Sequence, residues 1–340
     1  MTRLTQAIVN LTRLTSLSTR VLADVNVGTA FVQRPPSYTV PAFLGASIGG
    51  VAGYFAGGFD PAYVSRIDKI TFPADTKTTL SATLTTARND PTGMANSGVA
   101  GYAAGGFSGS YLSGIDKITF PADTKTTLSA VLTSNNGGMA GMADSAVAGY
   151  FAGGYGGSYT NRIDKITFPA DTKTTLSAVL TNSPDGCSGM ANSGVAGYVG
   201  GGYSGGYTSV IDKITFPADT KTTLSAVLSS GRNDFGGMAN SGVAGYFGGG
   251  ASPQTSGIDK ITFPADTKTT LSATLTTARN GNRGMANSGV AGYFGGGTDS
   301  ANLSGIDKIT FPADTKTTLS ATLTAATAST ASFANSGTLL

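Results

Sequence analysis

The chain has 340 residues, a formal net charge of +3, no His, no Trp, one Cys and 49 Gly. Its ten Arg are scattered, too few and too dispersed to track a phosphate backbone, so nucleic-acid binding is not expected. The single Cys rules out an intrachain disulfide, and the lack of imidazole removes the commonest general base.

Every one of the 19 acidic residues is Asp, and strong helix formers are scarce beside Gly, Thr, Ser and short runs of Ile, Val, Tyr and Phe. That composition predicts an all-β chain of short strands and tight turns.

In residues 1–45, TRLTQAIVN at Thr2–Asn10 is loosely echoed by TRVLADVNV at Thr19–Val27. Alternating Val21, Ala23, Val25 and Val27 suit a strand, while Leu4, Ile8, Leu11 and Leu14 equally suit a short helix. Pro35 and Pro36 then break any regular element. No window approaches a membrane span, and Arg and Thr interrupt the N-terminal apolar positions, so neither membrane insertion nor a secretory signal is expected. The segment reads either as a loosely packed leader or as an attachment segment.

From Ile67, the sixteen residues IDKITFPADTKTTLSA recur unchanged at Ile115, Ile163, Ile211, Ile258 and Ile306, at spacings of 48, 48, 48, 47 and 48. Residues 46–340 are therefore one array of repeats. Each unit divides into four strand-length pieces: A, Ala95–Val99; B, Gly101–Gly106; C, Ile115–Phe120, where Pro121 stops the ladder; and D, Thr127–Leu132. Four short antiparallel strands per unit predict one blade of a β-propeller. A parallel solenoid has room for the same period, but four turn signals are many for one coil.

Pieces B, C and D occur six times. Piece A occurs seven times, from a degenerate ASIGGV at Ala46–Val51 to FANSGT at Phe333–Thr338. The expectation is a six-bladed ring in which a terminal A strand, the C-terminal one that keeps the ANSG of the interior repeats, closes blade one.

These residues resemble the kelch repeat over 46–340. GYFAGG at Gly53–Gly58 and GYFGGG at Gly245–Gly250 match its aromatic strand ending in Gly-Gly, FPADTKTTL at Phe72–Leu80 its turn, and Arg88, Arg232 and Arg279 its Arg before the small-residue strand. The family's Trp is missing, with Leu80 and Leu128 expected in its packing role, and the Asp after the aromatic is displaced to Asp75. Near-identical blades with Thr- and Gly-rich loops are also similar in style to proteins of tailed phages, including those infecting cyanobacteria. That resemblance implies a virion surface component, a head or tail fibre, spike or decoration protein.

Comparing the six copies separates a frame from a variable part. The B–C segments (FDPAYVSR, FSGSYLSG, YGGSYTNR, YSGGYTSV, ASPQTSG, TDSANLSG) and the D–A segments differ in every unit. In an antiparallel meander both must emerge at the same end of the blade, opposite the constant PADTK turns. Tyr amid small polar residues suits recognition, whereas solvent-exposed loops also drift freely. The candidate binding residues are Tyr63, Tyr111, Tyr159, Tyr207, Arg66, Arg162, Asn89, Asn135, Asn233 and Asn280.

Catalysis is not expected. There is no His for a base, one Cys without His forms no nucleophile pair, and kelch-type oxidases need metal ligands that are missing. Asp75, Asp123, Asp171, Asp219, Asp266 and Asp314 read as caps of their own Pro-containing turns, paired with the nearby Lys. No cofactor or metal is expected. The partners implied are other virion structural proteins through residues 1–45, within a homo-oligomeric or symmetric assembly, and a glycan or protein of the host surface. A free carbohydrate-binding lectin is the alternative.

Overall fold

The computed structural model describes residues 51–336. The leader, with its helix or strand alternatives, and most of the degenerate first A segment lie outside the described residues. Twenty-four strands form six separate four-stranded antiparallel sheets, with no helix among the described residues. The arrangement is a six-bladed β-propeller.

The second blade shows the pattern: β4 (Thr92–Asn96) innermost, then β5 (Ala100–Ala104), β6 (Ile115–Thr119) and β7 (Thr124–Thr127) outermost. In the first blade, β24 (Ala331–Asn335) takes the inner position beside β1 (Ala52–Ala56), β2 (Ile67–Thr71) and β3 (Thr76–Thr79), with Tyr54 opposite Phe333. The C-terminal strand thus closes the ring, as its intact motif predicts.

Two boundaries differ from the sequence expectation. The inner strand starts at Thr92 rather than Ala95, and the outer strand is Thr124–Thr127 rather than Thr127–Leu132. TKTT shows no apolar alternation because it is a solvent-facing edge strand, where Thr and Lys also discourage pairing with other chains. Leu80 and Leu128 are only half-buried, flanking the core. The fully buried leucines are Leu84 and Leu132, four residues later.

The core is six junctions between blades rather than one centre. At the first junction Ala52, Tyr54, Ala56 and Ile67 face Ile118 and Phe120 of the second blade, with Phe333 stacked 5.3 Å from Tyr54. Alternation in β1 sends Phe55 to the opposite junction, beside Tyr293. Both faces are buried, which is why the second strand reads as a continuous small-and-aromatic run. Met94, Met142, Met190, Met238 and Met285 are buried here, each inserted against a glycine of the next blade's second strand. At Gly149 an added Cβ would stand 2.0 Å from Met94 Sδ.

Inner strands pack closest around the axis. A Cβ at Gly189 would meet the Gly141 carbonyl oxygen at 2.2 Å, so the side chain is missing where backbone touches backbone. The strands enclose a channel of about 880 Å³. At the constant end serines link blade to blade, as where the Ser145 amide donates to Ser193 Oγ at 2.9 Å and the Ser336 amide to Ser97 Oγ at 3.0 Å.

Candidate functional site

The variable end is built by main-chain pairing between the two loop types. Asn89, in a D–A segment, and Phe107, in a B–C segment, exchange amide-to-carbonyl hydrogen bonds of 3.0 and 2.8 Å. The same bridge joins Gly137 to Tyr155, Asp185 to Tyr203, Asn233 to Ala251 and Asn280 to Thr298. Five of the six B–C loops also fold back on themselves, bridging Phe59 to Tyr63, Phe107 to Tyr111, Tyr155 to Tyr159, Tyr203 to Tyr207 and Thr298 to Asn302. Glycines at positive φ, such as Gly109 and Gly205, permit these tight returns.

This construction brings eight rings into one continuous row of contacts that follows the ring across four blades. From Phe59 through Tyr63, Phe107, Tyr111, Tyr155, Tyr159 and Tyr203 to Tyr207, successive centroids are 5.9, 5.9, 5.0, 5.5, 4.9, 6.0 and 4.9 Å apart. Interplanar angles of 56° to 77° make the contacts edge-to-face or tilted, the arrangement that the ring quadrupoles favour. Phe59, Tyr63, Tyr159 and Tyr207 are 36–47% exposed, so the line forms a crest on the surface. The two remaining blades carry Ala251 and Thr298 at the first aromatic position. There Gln254 Nε2 donates to Asn280 Oδ1 at 3.0 Å, and Asn302 Nδ2 to the Phe59 carbonyl at 2.8 Å.

The structure therefore gathers Tyr63, Tyr111, Tyr159 and Tyr207 into one feature, and adds Phe59, Phe107, Tyr155 and Tyr203, which lay outside the candidate set. Their signal is present in the sequence as an aromatic residue four positions before each tyrosine, in FDPAY, FSGSY, YGGSY and YSGGY.

The other candidates support the crest or stand apart from it. Arg66 is committed to Asp60 at 2.6 Å and Thr327 Oγ1 at 2.7 Å, and Arg162 Nη1 donates to Ser134 Oγ at 2.8 Å. Asn89 and Asn233 hold the loops through their main chains, and the Oδ1 of each is buried without a partner. Asn135 is exposed.

In the D–A segments the carboxyls of Asp90, Asp185 and Asp234 act on one another. Burial, then Asp234 and Asp90, push the Asp185 carboxyl up to about 7, with the Gly186 amide and Arg283 opposing. Burial followed by Asp90 raises Asp234 as well. Arg283 reaches over to Asp90 at 3.1 Å. Burial and Asp185 raise the Tyr111 phenol, which stays neutral.

Elsewhere the polar groups are structural. Asp75, Asp123 and their equivalents sit at positive φ, near 55°, in their turns, but their carboxylates do not pair with the nearby lysine as the sequence suggested. Asp123 instead accepts from Tyr54 Oη at 2.7 Å and Lys69 Nζ at 2.6 Å of the neighbouring blade. The nearby Lys125 leans on Asp116 at 3.8 Å. Arg88, Arg232 and Arg279 form buried ion pairs with Asp116, Asp259 and Asp307 at 2.9–3.0 Å. Cys187 is buried, and burial pushes its thiol up to about 12, so the thiolate nucleophile is suppressed. Among the described residues no group of three or more His, Cys, Asp or Glu side chains is placed to hold a metal.

What the variable end offers a ligand is aromatic surface, phenol hydroxyls and small polar neighbours. No protein-family model matches the chain, and no curated protein matches it.

Proposed function

We propose that this chain is a non-enzymatic adhesion module, a virion surface component of the fibre, spike or decoration type, whose variable end contacts the host or another surface. The observation that carries this reading is the aromatic crest. A folded protein rarely leaves a row of large rings at its surface, four of them more than a third exposed, without a partner for it, and rigid aromatic area amid Ser and Gly is the composition of many recognition surfaces.

Topology supports the display part. Strand β1 starts, and strand β24 ends, at the end carrying the constant turns. A tether at either side of the described ring leaves the crest free. The virion part rests on the resemblance of the repeats to tailed-phage proteins.

The test is binding of the purified full chain to intact host cells, compared with Tyr111→Ala and Tyr159→Ala. These half-exposed side chains lie outside the blade junctions, so the variants are expected to melt like the parent while losing most of the binding. Binding equal to the parent's sinks the adhesion reading. Detection of the chain only as a free protein, and never in purified particles, favours the lectin alternative.

A further inference from the structure

We infer that the ligand of the crest is an elongated, neutral polysaccharide that lies along the line of rings, rather than a terminal sugar, an acidic polymer or a nucleic acid. This rests on the adhesion reading and adds the chemical class.

Shape comes first. A terminal sugar is held in a pocket walled on several sides, but the crest has no walls. In three of the four loops the residues between the rings are only Ser and Gly, and at Gly109, Gly157 and Gly205 nothing stands within 4 Å of where a side chain would begin. What repeats is the ring itself, eight times at steps of 4.9–6.0 Å. A track of that kind matches a ligand which also repeats, and those steps are close to the advance per pyranose in an extended glycan. The apolar faces of the sugars lie on aromatic rings, and their hydroxyls meet phenol groups. The track has two ends, because Ala251 and Thr298 interrupt it.

Charge selects among repeating polymers. Single-stranded nucleic acid also stacks on aromatic platforms, but its binding sites add a row of cations along the backbone. Here Arg66 is neutralised by Asp60 at 2.6 Å, and Arg162, whose Nη1 donates to Ser134 Oγ at 2.8 Å, is a single cation rather than a row. A polyanion finds no row of cations along this track, whereas a neutral chain needs none.

The test is titration of the full chain with neutral oligosaccharide ladders, the β-1,3- and β-1,4-glucan, α-glucan and mannan series from trimer to octamer, with alginate and heparin as acidic probes. At least one neutral ladder is expected to bind with an affinity that rises about tenfold or more with length before levelling off. Tyr207→Ala at the end of the track removes the gain of the longer members only, and Tyr111→Ala in the middle weakens all lengths. Affinity independent of length, or a preference for alginate or heparin, overturns the inference. If Tyr111→Ala abolishes binding to host cells while no neutral ladder binds or competes, the polysaccharide inference fails and the adhesion reading stands. If the crest variants bind cells like the parent, the adhesion reading itself fails.

Discussion

The Tyr54 hydroxyl donates to Asp123 Oδ1 at 2.7 Å although the two residues are 69 positions apart. Lys69 Nζ reaches the other oxygen of the same carboxylate at 2.6 Å and lies 5.6 Å from the centre of the Tyr54 ring. The same clasp joins every pair of neighbouring blades, ending with Tyr293 and Lys308 on Asp75. Asp123→Asn is the informative variant, since Asn tolerates the left-handed backbone and still accepts from Tyr54. Losing the charge under Lys69 is expected to cost about 1 kcal/mol, and Asp123→Ala about 1–3 kcal/mol because both donors are then unpaired. Urea midpoints of the two variants measure this, and equal midpoints for parent and Asp123→Ala would reduce the clasp to a surface contact.

The buried pair of Arg88 and Asp116 makes an asymmetric prediction. Asp116 also accepts from the Thr85 amide at 2.9 Å, Thr85 Oγ1 at 2.6 Å and Thr127 Oγ1 at 2.8 Å. Two other blades keep this arrangement around Asp164 and Asp212 although their positions equivalent to Arg88 hold Asn136 and Pro184. Arg88→Met therefore leaves a carboxylate that is still satisfied, and is expected to change stability by no more than about 1–2 kcal/mol. Asp116→Ala strands a buried guanidinium and the incoming D–A segment together, with an expected loss of about 3–5 kcal/mol. Similar losses for the two variants would show that Arg88, rather than the threonines, anchors the segment.

The contrast between these two devices shows what the sequence can and cannot announce. The period, the glycine doublets and the spare terminal A segment are local and repeated, so blade number and closure follow from counting. The aspartate clasp depends on how one blade leans on the next, and nothing within a single copy of PADTK separates pairing inside the turn from pairing across the junction. The crest falls between these cases. Its tyrosines stand out by type, but that Tyr63 meets Phe107 of the next blade at 5.9 Å depends on the curvature of the ring.

Stability should fall as pH rises from mildly acidic to mildly alkaline. The Asp185 carboxyl is raised from its ordinary 3.8 to about 7, so the native state holds a proton that the unfolded chain has released. The stabilisation is complete below the ordinary value and is lost as pH rises through about 7. Raised Asp234 adds to the same trend. Asp259 and Asp307, held low by their hydrogen bonds and arginines against the cost of burial, act the other way and only in more acidic solution. The midpoint of thermal unfolding is expected to be lower at pH 8 than at pH 5, and Asp185→Asn should flatten that slope while raising the midpoint at pH 8. An unchanged slope in Asp185→Asn would remove this carboxyl as its source.

Closure by β24 gives the most demanding prediction. Its five residues pair with Ala52–Ala56, Phe333 stacks on Tyr54 at 5.3 Å and fills the space over Gly101, and Ser332 Oγ donates to the Gly284 carbonyl of the adjacent sixth blade at 2.7 Å. A chain ending at Thr330 loses all of these together and exposes one edge of β1. By the usual cost of deleting a buried Phe alone, the loss is at least about 3–5 kcal/mol. An unpaired edge also recruits strands from other molecules, so light scattering should show oligomers where the parent gives a single species. A peptide spanning residues 331–337, added in trans, is expected to restore both the monomer and the melting midpoint, because the groove left behind keeps the register that Tyr54 and Phe333 define. Phe333→Ala in that peptide should abolish the rescue. A truncated chain that melts like the parent would mean that the ring is held by its six junctions alone and that the last strand is dispensable.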